Sequence, residues 1–143
     1  MATKINIKNL STGFQSIISN GRHSILSDEP IASKGTDQGF SPEDLLLAAL
    51  AACKVATVRF IARKNGWEIR EVDAQLEMSV KRGPDRSLAS QVKVALKIEG
   101  DLTEDQRAEL FKQADNCYIH RMIKGEWEIG EATPLVETSE VIS

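Results

Sequence analysis

The sequence has little of several residue types on which common classes of protein depend. Its 143 residues include two cysteines, two histidines and four prolines, and aromatic residues make up 5% of it. Two cysteines are too few for the disulfide framework of a small secreted domain, and two histidines give little support to histidine-based chemistry. The sequence also lacks a glycine-rich phosphate loop and the G-x-S-x-G and H-E-x-x-H motifs. The enzyme classes that depend on those motifs therefore have no support.

Long apolar runs and an excess of positive charge are also missing. The most apolar stretch covers nine residues, 45–53, whereas a helix needs about 20 to span a bilayer. The formal net charge is −3 and the basic residues are scattered, so neither nucleic acid nor a membrane is an expected partner. The first ten residues show no pattern of a secretory signal. We expect a cytoplasmic protein, in which thiols stay reduced.

The sequence does have short alternating segments at its start. Apolar and polar residues alternate in KINIKNL, FQSII and HSIL, which predicts three short strands in the first 28 residues. Asn20-Gly21, between the last two of these segments, is a strong hairpin turn signal. Pro30, Gly35 and Gly39 then predict a loop over residues 28–40.

A long helix is predicted after this loop. Ser41 is a good N-cap, Pro42 suits the first helical position, and the helix is predicted to end at Lys64, before Asn65-Gly66. Its first half, LLLAALAAC, is apolar on every side, which is typical of a helix that is buried all round. A chain of 143 residues has little material to wrap such a helix, so we expect a homodimer in which two copies bury it. The alternative is a central helix covered by the chain's own sheet.

The second half of the sequence predicts two longer strands, a helix, a helical turn and a final strand. Apolar residues alternate cleanly in QVKVALKI, and Thr103 with Gln106 forms a capping box at the start of the helix. This order of elements is α+β rather than alternating βαβ, and the chain is predicted to form a single domain, 1–143. The predicted elements are strands over 67–80 and 88–99, a helix from 103 to about 115, a helical turn after Cys117 and a strand within 134–142.

The two cysteines are the candidates for chemistry, although each also has a plainer interpretation. Cys53 lies in mid-helix among small residues, where a free cysteine often packs as a small apolar side chain. Cys117 follows the second helix and has the same alternative, and a disulfide between the two would need Cα atoms within about 7 Å. Cys117 and His120 can face one side of a helical turn, but zinc needs three or four ligands, so no metal is predicted. His120 and His23 are expected at the surface or at an interface.

The segment from Gly39 to Trp67 resembles the OsmC/Ohr family, named for osmotically inducible protein C and organic hydroperoxide resistance protein. The family pattern is a glycine, Pro-Glu, a helix rich in leucine and alanine, and a cysteine ten residues after the glutamate, as in Glu43 and Cys53. A second family feature is a helix ending in Ala-x-x-Cys some sixty residues later, which ADNC with Cys117 matches. The resemblance covers essentially the whole chain. It implies an α+β OsmC-like fold, with antiparallel sheets around a long buried central helix in an intertwined homodimer.

The resemblance also implies a function, that of a cysteine-based peroxidase that reduces organic hydroperoxides. The implied peroxidatic cysteine is Cys53, which becomes a sulfenic acid, and the implied resolving cysteine is Cys117, which converts that acid to a disulfide. Glu43 and an arginine near the N-terminal strands, for which Arg22 is the best match, complete the implied catalytic site. The implied reductant is a dithiol such as a lipoyl protein, and no cofactor is implied.

Helix geometry adds an inference about Glu43. Ten residues at 1.5 Å each place Glu43 roughly 15 Å from Cys53 along a straight helix, so the two cannot touch within one helix. Two antiparallel copies of the helix would bring Glu43 of one chain to Cys53 of the other, which predicts an active site shared between subunits. Tyr118 stands where many family members have proline, as expected of a less characterised branch. The alternative function is a non-enzymatic dimer that senses redox state or binds a small ligand.

Overall fold

Alternating residues near the start of the chain form a three-stranded antiparallel sheet in the computed structural model, which describes residues 2–136. The predicted turn at Asn20-Gly21 joins its second and third strands. The Asn20 side chain accepts the N–H of His23, and Gly21 has a φ of 94°, a conformation that favours glycine because it lacks a Cβ. The strands, in the order in which they pair, are β1 (Asn6–Asn9), β2 (Ser16–Ser19) and β3 (Ser24–Ser27).

The loop after this sheet is organised by one buried carboxylate, that of Asp28. Asp28 is 2% exposed and accepts hydrogen bonds from the backbone N–H groups of Phe14, Thr36 and Gln38 and from the Thr36 hydroxyl. The bond from the Thr36 hydroxyl is the largest cause that lowers the Asp28 pKa, from 3.8 to about 2, and burial opposes it. The loop predicted over 28–40 is therefore fixed around a carboxylate.

The long helix α1 (Pro42–Lys64) has the predicted bounds. Ser41 caps it, because the Ser41 hydroxyl accepts the N–H of Asp44 and the Asp44 carboxylate accepts the N–H of Ser41. Only a single stripe of its side chains, spaced by four residues, is buried, whereas burial all round was expected. Within residues 2–136 the chain's own sheets therefore leave the other faces of this helix uncovered. A central helix covered by the chain's own sheet was the alternative to a homodimer, and these residues do not form it. The buried stripe consists of Leu50, Lys54, Val58 and Ala62.

By length and composition alone, α1 is sufficient to cross a membrane, since it has 23 residues and a window of mean hydropathy 2.0. This differs from the prediction made from residues 45–53, because the apolar pattern resumes after Lys54 and continues through the second half of the helix. Core helices of soluble proteins pass the same test, so the property does not by itself indicate a membrane span.

The predicted hairpin consists of two long antiparallel strands, each extending within two residues of its predicted bounds. Side chains alternate across the sheet, so one face is apolar on both strands. The pair Val72 and Ile98 lies near the end of this face that packs against the helices, and Ile98 is 4% exposed. The strands are β4 (Ile69–Arg82) and β5 (Leu88–Gly100).

Two further helices follow the hairpin, where the sequence predicts a helix and a helical turn. They are α2 (Glu104–Ala114) and α3 (Tyr118–Lys124). The predicted capping box is present at α2, because the Thr103 hydroxyl accepts the N–H of Gln106 and the Gln106 side chain accepts the N–H of Thr103. The core joins α1, β5 and α2, and its fully packed members are Val58, Ala62, Ile98, Leu110 and Ala114.

The chain divides into two units, one of Met1–Leu46 with Glu128–Ser143 and one of Leu47–Trp127. Both units have antiparallel strands, and with the helices they confirm the predicted α+β class. The strand predicted within 134–142 does not form at residues 134–136, and the rest of that segment lies outside the described residues. The single domain over 1–143 stays a prediction.

Candidate active site

The structure brings the two cysteines together in the second unit, at the first turn of α3. Cys53 is half-buried in α1, and Cys117 is 1% exposed at the residue that caps α3. The Cys53 Sγ accepts the backbone N–H of Ile119 at 3.4 Å, and the Cys117 Sγ accepts that of His120 at 3.4 Å. The two sulfurs are thus held by consecutive amides, and both cysteines are free thiols.

Local sequence explains why Cys117 occupies this position. α2 ends at Ala114, and Cys117 takes an extended conformation, with φ −70° and ψ 157°, before the chain turns into α3. This is the geometry of a helix N-cap, in which the side chain accepts an N–H from the first turn. A sulfur fills the place usually taken by a serine or aspartate oxygen, so the cap and the candidate chemistry share one atom.

The environment of Cys117 keeps its sulfur protonated. Burial is the largest cause and raises the pKa of the Cys117 thiol above its usual value of 9.0, and a hydrogen bond with the Cys53 side chain raises it further. The His120 N–H and the positive charge of Lys54 act in the opposite direction without outweighing burial. Cys117 is therefore a buried thiol at neutral pH, hydrogen-bonded to Cys53.

Sequence reasoning missed two residues of this site, Lys54 and His120. Lys54 is 1% exposed, and its Nζ donates hydrogen bonds to the Ala114 carbonyl and to His120 Nδ1, both at 3.0 Å. Since an ammonium group only donates, Nδ1 accepts, and the His120 imidazole is neutral with its proton on Nε2. Burial first, then the charges of Lys54 and Lys124, lower the His120 pKa below 6.5, against the opposing charge of Asp115. The sequence feature that could have indicated Lys54 is its place among the apolar residues of the buried stripe of α1.

The other two residues of the implied site, Glu43 and Arg22, belong to the first unit. Glu43 lies in the first turn of α1 and is exposed. Arg22 is exposed in the turn between β2 and β3, where its backbone N–H donates a hydrogen bond to the Asn20 side chain. Their catalytic roles stay predictions, as do those of the two cysteines.

Other features of the described residues do not add to this site. Among residues 2–136, no group of three or more His, Cys, Asp or Glu side chains is placed to hold a metal ion. A cavity of about 750 Å³ lies at the C-terminal end of α1, and neither cysteine lines it. Its lining includes Arg59, Arg63, Trp67 and Arg70.

Comparison with known proteins identifies the family. The profile of the OsmC family, described as OsmC-like protein, matches residues 35–131, so the chain belongs to this family. No curated protein sequence matches. The fold is similar to that of an OsmC-like protein from Mycoplasma pneumoniae, with a TM-score of 0.71 and 20% identity over 87% of this chain and 89% of that one.

Two further structures with this fold carry names that refer to hydroperoxide resistance. An organic hydroperoxide resistance protein from Legionella pneumophila has a TM-score of 0.67 and 21% identity, covering 87% of this chain and 90% of that one. The organic hydroperoxide resistance protein OhrB of Bacillus subtilis has a TM-score of 0.64 and 20% identity, covering 87% and 92%. The predicted OsmC-like fold is therefore confirmed. At these identities the likeness concerns the fold alone.

Proposed function

We propose that the protein is a thiol-dependent peroxidase that reduces organic hydroperoxides with Cys53 and Cys117. The observation that carries this proposal is the pairing of the two cysteines at α3, with their sulfurs on consecutive backbone N–H groups. Membership of the OsmC family supports it, since proteins of the same fold are named for hydroperoxide resistance. One accessible and one buried thiol is also the arrangement that a two-step cycle needs.

In the first step, the Cys53 thiolate attacks one oxygen of the hydroperoxide. The S–O bond forms as the O–O bond breaks, and the alkoxide takes up a proton and leaves as the alcohol. Cys53 is the candidate for this step because it is half-buried and within reach of a substrate, whereas Cys117 is enclosed. Exposed alanines at positions 52 and 56 and the exposed Tyr118 give the neighbourhood an apolar character that suits an organic peroxide.

In the second step, Cys117 resolves the sulfenic acid. Its sulfur attacks the Cys53 sulfur, the S–S bond forms, the S–O bond breaks, and the hydroxyl group leaves as water with the proton of Cys117. A protonated Cys117 beside Cys53 suits this role, because the departing hydroxyl needs that proton. An external dithiol then reduces the disulfide by thiol exchange, and a lipoyl protein is our proposed donor.

The proposal includes a cytoplasmic homodimer with an active site shared between subunits. α1 exposes large apolar side chains along faces that residues 2–136 do not cover, with Leu46 53% and Phe60 64% exposed. A second α1 packed on these faces removes them from water, which favours association. In this arrangement Glu43 and Arg22 of one subunit serve the cysteines of the other, with the arginine steadying the peroxide and the glutamate orienting the arginine.

Peroxide consumption with a dithiol donor tests the proposal. The purified protein should consume an alkyl hydroperoxide faster than hydrogen peroxide when dihydrolipoamide is supplied. Cys53→Ser should abolish turnover, and Cys117→Ser should stop the enzyme after the first step. A protein with no turnover on either peroxide, whose thiols stay reduced, would instead support the alternative of a non-enzymatic dimer that binds a small ligand.

A further inference from the structure

Lys54 is the feature of this site that the proposed cycle leaves unexplained. It is the largest of the fully buried side chains among the described residues, and it carries a positive charge in the middle of an apolar stripe. A buried charge costs free energy unless its hydrogen bonds are satisfied, and an apolar side chain of similar size is often at least as stable. Stability therefore does not account for a lysine at this position.

The two partners of Lys54 bracket the second cysteine. Ala114 lies three residues before Cys117 and His120 lies three residues after it, and the Lys54 Nζ binds both, at 3.0 Å each. On its own helix, Lys54 directly follows Cys53. The Lys54 ammonium group thus connects α1 to both ends of segment 114–120 by hydrogen bonds. On α1 it lies next to Cys53, and segment 114–120 carries Cys117.

We propose that Lys54 is a positioning residue, which holds segment 114–120 against α1 so that the Cys117 sulfur reaches the oxidised Cys53. This inference rests on the proposed two-cysteine cycle, to which it assigns a further residue. The neutral His120 imidazole accepts the second of the two hydrogen bonds from Lys54, through its Nδ1 atom.

The resolving reaction is the step that depends on this positioning. A disulfide has narrow geometric limits, with Cα atoms about 4.4–6.8 Å apart, and the attacking sulfur must approach in line with the S–O bond. Holding two groups in a reactive geometry raises their effective concentration by orders of magnitude, and a shift of about 1 Å can cost 10²-fold. Without Lys54, the connection between α2 and α3 has one fewer attachment to α1 and Cys117 samples more positions.

Charge acts in the same direction as geometry at this site. The titratable and charged groups around the Lys54–His120 hydrogen bond are Lys54 on α1, Asp115 after α2, and Lys124 and His120 on α3. The positive charge of Lys54 lowers the pKa of Cys117, partly opposing burial. The ammonium therefore eases the loss of the Cys117 proton to the departing hydroxyl group as the Cys117 sulfur attacks.

Lys54→Met tests the inference, because it keeps an unbranched buried side chain and removes the ammonium. The measurement is the equilibrium constant for the Cys53–Cys117 disulfide against reduced and oxidised glutathione, which needs no peroxidase activity. We expect Lys54→Met to lower this constant on the order of tenfold or more. The control Lys64→Met, at an exposed lysine in the last turn of α1, should leave it unchanged.

A second pair of variants acts through the acceptor and leaves Lys54 in place. His120→Asn keeps an acceptor at the corresponding position and should retain most of the wild-type equilibrium constant. His120→Leu removes the acceptor and should behave like Lys54→Met. This pair tests the positioning role even if Lys54→Met fails to fold. A purely structural role for His120 predicts that the equilibrium constant falls equally in both variants.

The outcomes separate this inference from the proposed function. If Lys54→Met is folded and its equilibrium constant equals that of the wild type, Lys54 is not a positioning residue, whatever the peroxidase assay gives. If the constant falls but the wild-type protein turns over no peroxide, the positioning role stands and the proposed peroxidase activity fails. With alkyl hydroperoxide as oxidant, a longer-lived Cys53 sulfenic acid in Lys54→Met, trapped with dimedone, would support both.

Discussion

Cys117 differs from an ordinary surface thiol in two ways that are coupled: it is buried, and its sulfur is hydrogen-bonded to its partner cysteine. Burial is the largest influence on its pKa, which is why the thiol stays protonated above the pH at which an exposed cysteine ionises. This places a proton where the resolving step consumes one. The same residue also caps α3, so replacing it affects both chemistry and local structure.

The raised pKa of Cys117 can be measured in a protein with a single thiol. In Cys53→Ser, burial of Cys117 persists, so the midpoint of its alkylation rate with iodoacetamide should lie at a higher pH than that of an exposed cysteine. In the same variant unfolded in urea, the midpoint should fall to the pH of an exposed cysteine. A midpoint in the folded variant at or below the unfolded one would contradict the role assigned to burial.

Asp28 makes a prediction about acid stability. Its folded pKa of about 2 lies below the ordinary 3.8, so its contribution to stability is complete above pH 3.8 and is lost as pH falls toward 2. Asp28→Asn should therefore lower the free energy of unfolding at pH 7, because an amide group cannot accept all of the carboxylate's hydrogen bonds. The difference from wild type should shrink between pH 4 and pH 2, as measured by urea unfolding. Asp37→Asn, at an exposed position in the same loop, is the control and should show no such trend.

At the scale of single elements, α2 offers a direct test of capping. Thr103 and Gln106 satisfy each other's backbone N–H groups at the start of this helix. Thr103→Ala should cost about 1 kcal/mol of unfolding free energy, and Thr103→Ser, which keeps the hydroxyl, should cost much less. Equal losses in the two variants would mean that the methyl group, rather than the cap, carries the effect.

The sequence predicts the elements of this fold well because their signals are local. Caps at Ser41 and Thr103, the turn at Asn20-Gly21 and the alternation along β5 each depend on residues within a few positions of one another. The meeting of Cys53 and Cys117 depends instead on how α1 packs against segment 114–120, so only the resemblance to a family indicated it.

The same limit applies to Lys54 and His120. The sequence predicts His120 at the surface or at an interface and assigns no role to Lys54, since the hydrogen bond between them exists only once α1 and α3 are packed. A lysine on the stripe that also carries Leu50, Val58 and Ala62 was the one local sign of a buried polar contact. It marks where a hydrogen-bond partner is needed without saying which residue supplies it.

At the scale of the whole molecule, the apolar surface of α1 predicts association. Phe60 is 64% exposed in a single chain, and burying an aromatic side chain is worth about 1.5–3 kcal/mol. By light scattering, the wild-type protein should have twice the mass of one chain. Phe60→Lys should shift the protein toward monomer at micromolar concentration, whereas Lys64→Met, at an exposed charged position in the same helix, should not. A wild-type protein that is monomeric at all concentrations would contradict the proposed active site shared between subunits.

The thiol stoichiometry of a single turnover distinguishes a two-cysteine peroxidase cycle from a pair of inert thiols. Reduced protein receives one equivalent of an alkyl hydroperoxide without reductant, and the free thiols and the cross-linked peptides are then determined by mass spectrometry. We expect the loss of two thiols per peroxide and a disulfide between Cys53 and Cys117 of the same chain, and we expect Cys117→Ser to stop at a sulfenic acid on Cys53. If both thiols remain free while the peroxide persists, the two-cysteine peroxidase cycle is wrong.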